Sequence, residues 1–177
     1  MRHGEPTFSA GKRVAGWSDP PLTERGREQA AALKAVVDGT AFDGLWSSDL
    51  RRAVESARLI QGEPRTDPRL REFEFGDLEG CTYAEADGAY REVFGRFRGF
   101  TTPGGESHSE LRERVRAFVA ELAPGRHLLV AHGGVNRVLT QDLGLDRFVA
   151  TGSLVVLDWP AQRVLRVHEP GNIALSG

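Results

Sequence analysis

Two short apolar runs in this chain each lead into a turn and then a helix-patterned segment, and that arrangement leaves few folds open. His127-Leu128-Leu129-Val130-Ala131 runs into His132-Gly133-Gly134, after which Val135, Val138, Leu139 and Leu143 recur at helical spacing up to Gly144. Gly44-Leu45-Trp46-Ser47 runs likewise into Ser48-Asp49, and Leu50, Ala53, Val54, Ala57 and Ile60 mark one helix face. Buried strands that alternate with amphipathic helices are the pattern of an α/β fold with a mostly parallel sheet. Ligands of such sheets sit beyond the carboxyl ends of the strands. That rule singles out the turn after Trp46, the turn after Ala131, and the segment Arg2-His3-Gly4-Glu5.

The remaining elements fit the same plan. Residues 1–22, rich in Gly and Pro, read as loop, and Thr23 is placed to cap a helix carrying Ala30, Leu33, Val36 and Val37, with Gly39 as its stop. Ser48 or Asp49 is expected to cap the second helix. Residues 62–81 read as loop, with an extended piece around Arg69–Phe73. Tyr90, Val93, Phe94 and Phe97 have helical spacing within 83–98. Ser107 opens the most regular helix, with Leu111, Val115, Phe118, Val119 and Leu122 on one face and Pro124-Gly125 beyond it. Ser153–Asp158 and Val164–His168 read as an antiparallel strand pair. No internal linker or repeat interrupts the pattern, so residues 1–177 are read as one domain.

Charge and cysteine usage exclude several function classes. With 23 basic and 25 acidic residues the net charge is −2, which argues against a nucleic-acid or polybasic membrane binder. All of the basic residues except Lys12 and Lys34 are arginine, a bias with an ordinary origin in GC-rich codons but also suited to phosphate recognition. A single cysteine, Cys81, excludes an internal disulfide framework and a multi-cysteine zinc site. No apolar stretch reaches the ~18 residues of a membrane span, and no apolar leader follows Met1, so a cytoplasmic protein is expected. Neither a GxGxxG nor a Walker loop is present, so no cofactor is expected.

Taken one by one, the polar candidates are weak. His132 lies between an apolar strand and a Gly-Gly helix start, where backbone N–H groups form an anion site, although a histidine satisfied by backbone bonds is an equal reading. His3 has a similar turn near a chain terminus. An arginine in the first turn after Ser47-Ser48-Asp49, Arg51 or Arg52, can reach over the sheet edge toward a phosphate, or simply be solvated. Glu72 sits between aromatics in Arg71-Glu72-Phe73-Glu74-Phe75; burial there would raise its pKa and suit it to proton donation. His108, His127 and His168 read as surface or structural residues.

Together these blocks resemble the histidine phosphatase superfamily, the group that also holds the cofactor-dependent phosphoglycerate mutases. The resemblance runs in order through Arg2-His3-Gly4-Glu5, Gly16-Trp17-Ser18-Asp19-Pro20-Pro21-Leu22-Thr23 with Gly26 and Gln29-Ala30, and Ser47-Ser48-Asp49-Leu50-Arg51-Arg52-Ala53. It continues with Glu72 and Gly76-Asp77-Leu78-Glu79-Gly80, Pro103-Gly104-Gly105-Glu106-Ser107, and His132-Gly133-Gly134. It implies a three-layer α/β/α fold around a mostly parallel sheet. It also implies a metal-independent phosphomonoesterase acting on a small phosphorylated metabolite. In that reading His3 is the nucleophile that becomes phosphohistidine, and Arg2, Arg52 and His132 hold the phosphoryl oxygens. Glu72 serves as the acid and then the base, with Glu74 its rival, and Gly4, Ser9, Gly16 and Gly133 contact substrate. Metal and nucleic acid have no place in this scheme, and a homodimer is left open.

Three departures from the family pattern refine the expectation. Ser9 stands where many relatives carry asparagine, giving a hydroxyl with shorter reach. Only Gly80–Thr102 separates the catalytic-glutamate block from the Pro103-Gly104-Gly105 block, where the mutases carry a long basic insertion. The short form favours hydrolysis and looks most like the α-ribazole phosphatase branch and its broad-specificity neighbours. The alternatives are a mutase or phosphotransferase, and a phosphate-ester-binding protein without activity. Specificity is expected from residues 83–102 and from Phe8, Lys12, Arg13 and Trp17. Finally, relatives have a central strand leading into the Arg-His-Gly triplet. Only Met1 stands there, so the first central strand is expected to be missing, through an internal start or replacement by a partner's strand.

Overall fold

The computed structural model describes residues 1–86, 88 and 97–171. Strand β1 (Gly44–Ser47) is central to a parallel sheet, flanked by β2 (Arg65–Thr66) and β3 (His127–Val130). β1 and β3 run in register from Gly44 beside His127 to Ser47 beside Val130. Strands β4 (Leu154–Asp158) and β5 (Arg163–His168) form an antiparallel pair with a register shift between Val156 and Leu157.

Between β3 and the start of β4 lies the segment Met1–His3. Arg2 pairs in parallel with Ala131. The Met1 ammonium donates to the Leu129 carbonyl, the Ala131 amide to the Met1 carbonyl at 2.9 Å, and the His3 amide to the Ala131 carbonyl at 2.9 Å. On its other side the Arg2 amide donates to the Ser153 carbonyl at 2.9 Å. No full strand stands ahead of His3, as expected, and its place in the sheet is held by three residues that bond to both neighbours. Pairing Arg2 with Ala131 also sets His3 beside His132, one residue beyond each partner.

Strand pleating divides the core between two helical layers, because alternate side chains point to opposite faces. Leu45, Leu128 and Val130 pack with Leu33, Val37, Ala53, Ala57 and Ile60 of helices α2 (Glu24–Val37) and α3 (Arg51–Ile60). Trp46, Leu129 and Ala131 face Leu111, Val115, Phe118, Val135 and Val138 of helices α4 (His108–Ala120) and α5 (Gly133–Thr140). A mostly parallel sheet between two helical layers is the architecture that the resemblance implied.

Local chemistry sets the helix boundaries, with instructive exceptions. Thr23 Oγ1 accepts from the Gly26 amide at 3.0 Å and caps α2. Ser107 and Glu110 form a reciprocal capping box at α4. Ser107→Ala is expected to cost about 1 kcal/mol, read as a lower denaturant midpoint at unchanged m. At α3 the expected cap is corrected: Leu50 is the cap residue, and the carboxylate of Asp19, 32 positions away, accepts from the Arg51 amide at 3.0 Å. Ser48 Oγ accepts instead from the Leu50 amide, at 3.2 Å. The opening loop includes a one-turn helix, α1 (Thr7–Ala10). Arg69–Phe73 forms no strand, although Arg71 has an extended backbone (φ −57°, ψ 155°). Pro68, with φ fixed by its ring, opens a tight turn through Leu70, and the extended piece is Arg65–Thr66 instead. Tyr90, Val93 and Phe94 lie outside the described residues.

Candidate active site

Beyond the carboxyl ends of β1 and β3 lies a cavity of about 210 Å3, which Arg2, His3, Arg52, Glu72 and Gly133 line together with Ser9 and Arg13. Residues from five separate sequence blocks therefore meet at one place. The imidazole of His3 is 3% exposed. Its Nδ1 lies 2.6 Å from the Gly4 carbonyl, which can only accept, so Nδ1 carries the proton and the Nε2 lone pair is presented to the other side. Burial, reinforced by the charges of Arg52 and Arg2, holds the His3 pKa well below its ordinary value and keeps the ring neutral.

Arg52, from the first turn of α3, is fully buried. Its Nε donates to His3 Nε2 at 3.3 Å, Nη1 to the Ser18 carbonyl at 2.7 Å, and Nη2 to the Gly16 carbonyl at 2.6 Å. Arg2 donates from Nη1 to the Val149 carbonyl at 2.7 Å. His132 is fully buried with its ring centroid 4.9 Å from that of His3, edge to face. It does not line the cavity, but neither of its ring nitrogens has a hydrogen-bond partner among the described residues. Burial and then the Arg52 charge lower its pKa well below the usual value.

Glu72 is 7% exposed, and its Oε1 accepts from the amides of Phe73 and Gly134, each at 2.9 Å. Gly134 is fixed as glycine here, because a Cβ would meet that carboxylate at 2.4 Å. Burial raises the Glu72 pKa despite these two bonds and the nearby arginines. The site thus brings together a neutral imidazole, a buried carboxyl biased toward its protonated form and two guanidiniums. Such a set suits transfer of an anionic group. Glu74 does not line the cavity; its amide and carbonyl bond to Glu106 instead.

Two expected contact residues turn out to support the site from behind. The Gly4 amide is taken up by Ser56 Oγ at 3.0 Å, and a Cβ on Gly4 would meet the Gly26 carbonyl oxygen at 2.0 Å. Gly16 is also absent from the cavity lining; its carbonyl anchors Arg52, and its Cα packs against Glu79 and Phe73 too closely for a side chain. Of the residues expected at the mouth, Arg13 lines the cavity, whereas Phe8, Lys12 and Trp17 do not; the Arg71 guanidinium lies over the Trp17 ring. Tyr83 and Phe97 also line it, while most of 87–96 falls outside the described residues.

Several supporting residues had no chemical signal of their own in the sequence. Ser56 donates to the Arg52 carbonyl while accepting from Gly4, tying the two turns together. The Glu79 carboxylate accepts from the amides of Gly16, Trp17 and Ser18 at 2.9–3.1 Å and so shapes the loop whose carbonyls hold Arg52. Glu79 is marked only by its place in the Gly76–Gly80 block and Ser56 lies outside the motif blocks; the partners Gly16 and Gly4 are more than 50 residues away.

Comparison with known proteins agrees with this geometry. The family model for the histidine phosphatase superfamily (branch 1) matches residues 1–168. Glucosyl-3-phosphoglycerate phosphatase of Mycobacterium tuberculosis is 35% identical over 91% of this chain and 77% of its own. A probable phosphoglycerate mutase of Salmonella choleraesuis is 37% identical over 75% of this chain and 67% of its own. A crystal structure of a Thermus thermophilus protein shares 43% identity, with a TM-score of 0.87 over 96% of both chains. A putative alpha-ribazole-5'-P phosphatase of Escherichia coli shares 25%, with a TM-score of 0.76 over 96% of this chain and 92% of that one. The fold, the assembled histidines and arginines, and these likenesses together establish that the chain belongs to the histidine phosphatase superfamily, branch 1, and is an enzyme of its phosphatase class.

Proposed function

We propose that the chain hydrolyses small phosphate monoesters through a phosphohistidine on His3. The observation that carries this reading is the state of His3. Its Nδ1 is pinned to a carbonyl, its ring is kept neutral, and it shares one cavity with Arg2, Arg52 and Glu72. His3 Nε2 attacks phosphorus as the ester P–O bond breaks, and the Glu72 carboxyl gives its proton to the departing alcohol oxygen. Water then attacks the phosphohistidine and gives a proton to the Glu72 carboxylate. The P–N bond breaks, leaving inorganic phosphate and neutral His3. Arg2 and Arg52 hold the phosphoryl oxygens, with Gly133 and the Ser9 hydroxyl at the rim and the unpartnered nitrogens of His132 receiving a further oxygen. Two guanidiniums then carry the charge that a metal ion carries elsewhere, so hydrolysis is expected to persist in EDTA.

The walls favour hydrolysis of an apolar or ring-bearing ester over mutase chemistry. Phe75, Tyr83, Phe97 and Phe148 line the cavity, and among the described residues Arg13 is the cation that lines it beyond Arg2 and Arg52. Away from the arginines a substrate therefore meets these four rings with Pro6, Val14 and Ala15, a wall that packs against a flat ring, and Arg13 is the cation left for a phosphoglycerate carboxylate. An α-ribazole phosphatase-like or broad specificity fits this surface. Product analysis by phosphorus NMR tests it, with α-ribazole phosphate, aryl phosphates and 3-phosphoglycerate as substrates in EDTA. The expected product is inorganic phosphate, formed fastest from ring-bearing esters; conversion of 3-phosphoglycerate to its isomer in preference to phosphate release would contradict it.

A further inference from the structure

Glu72 lies on a stretch without regular structure, between the tight turn at Pro68–Leu70 and that at Gly76–Leu78. Its place depends on what fixes that backbone, and one side chain does most of it. Arg114, on α4, commits all five of its N–H donors there. Nη1 donates to the carbonyls of Arg69 at 2.8 Å and Arg71 at 2.7 Å, and Nη2 to the carbonyl of Glu72 itself at 2.8 Å. The remaining donors, Nε and the second Nη2 proton, go to the Glu106 carboxylate at 3.0 and 2.6 Å. Glu106 in turn accepts from the Glu74 amide at 2.9 Å. The segment is therefore clamped on both sides of Glu72, and Trp17 Nε1 adds a bond of 2.9 Å to the same Glu72 carbonyl.

We infer that Arg114, braced by Glu106, is the positioning residue for Glu72: it holds the acid's backbone so that the carboxyl reaches both the Gly134 amide and the cavity. Only a planar guanidinium serves three backbone carbonyls and a bidentate carboxylate at once, since lysine has three donors and no fixed plane. Arg114 itself does not line the cavity, so it acts on the acid through the backbone of Glu72, while its charge also helps lower the His132 pKa, an effect common to every ester. This inference rests on the reading of Glu72 as the acid.

The test uses two esters of similar shape. p-Nitrophenolate leaves readily without a proton, whereas p-nitrobenzyl alkoxide needs one. General acid catalysis is worth about 10²–10⁴-fold where the leaving group needs it. Arg114→Met is expected to lower kcat/KM, which reports the step that breaks the ester bond, at least about tenfold more on p-nitrobenzyl phosphate than on p-nitrophenyl phosphate. Arg114→Lys, which keeps the charge and much of the packing, should show a smaller selective loss. Glu72→Gln is measured alongside and should show the largest. If both arginine variants lower the two esters equally, or change neither, while Glu72→Gln remains selective, the positioning role is overturned and the acid stands. Absence of selectivity in Glu72→Gln would overturn the acid assignment and the inference with it.

Discussion

His3→Ala is expected to lower kcat/KM by at least about 10³-fold on every substrate, because the covalent route disappears with the nucleophile. Phosphate binding should survive in part, since Arg2 and Arg52 keep their own anchors, the Val149 carbonyl for one and the Gly16 and Ser18 carbonyls for the other. Arg52 also loses its bond to His3 Nε2, which frees a donor for phosphate. Inorganic phosphate titrated against the variant by calorimetry separates the two effects. Loss of turnover with binding within about tenfold of the parent is the expected pair of results.

Glu72→Gln carries the second large effect, and it acts in opposite directions on activity and stability. The acid contributes about 10²–10⁴-fold, and glutamine has no proton to give. The pH profile gives the sign. Turnover needs His3 neutral, so kcat/KM rises with pH through a His3 pKa held well below 6.5. It also needs Glu72 protonated, so the rate falls as pH rises through the elevated Glu72 pKa. In Glu72→Gln that alkaline limb should vanish while the acid limb stays. For stability, a carboxyl whose folded pKa is raised above 4.5 contributes fully below that pH, and the contribution is lost as pH rises through the folded value. At neutral pH the variant should therefore be more stable, by roughly 0.5–2 kcal/mol, with the gain shrinking as pH falls through the elevated pKa and gone below about pH 4.5. Thermal unfolding at pH 4 and pH 7.5 measures it.

The contrast between what was and was not legible follows the range of the interactions. Thr23 and Ser107 cap helices that begin at the next residue, and their partners lie three positions away, so the pattern was local and readable. The turn at His132 was readable because the apolar strand, the glycines and the helix are contiguous. Family order in the sequence brought His3, Arg52 and Glu72 together, which spacing alone did not. Unreadable features depended on distant partners: Asp19 capping α3, Glu79 gathering three amides, Arg114 clamping the Glu72 loop, Ser56 holding Gly4. Gly4 and Gly16 looked like contact residues because they sit in motif blocks. Their actual constraint is steric, each lying against backbone that leaves no room for a Cβ.

Placing His3, the proposed nucleophile, depends on pairing of the same long-range kind. Met1–His3 offers almost no strand signal, and its position is set by bonds to Leu129, Ala131 and Ser153 on two flanking elements. That pairing puts His3 edge to face with His132 and within reach of Arg52. The catalytic reading follows from it, so the identity of the phosphorylated residue is its sharpest point.

Rapid acid-free quenching of the enzyme during turnover of a phosphate-labelled ester, followed by peptide mass spectrometry, measures that identity. The label should appear on His3, be stable to alkali and lost in acid, and be absent from His3→Ala. Label on another residue, or undiminished phosphate release by His3→Ala, would contradict it.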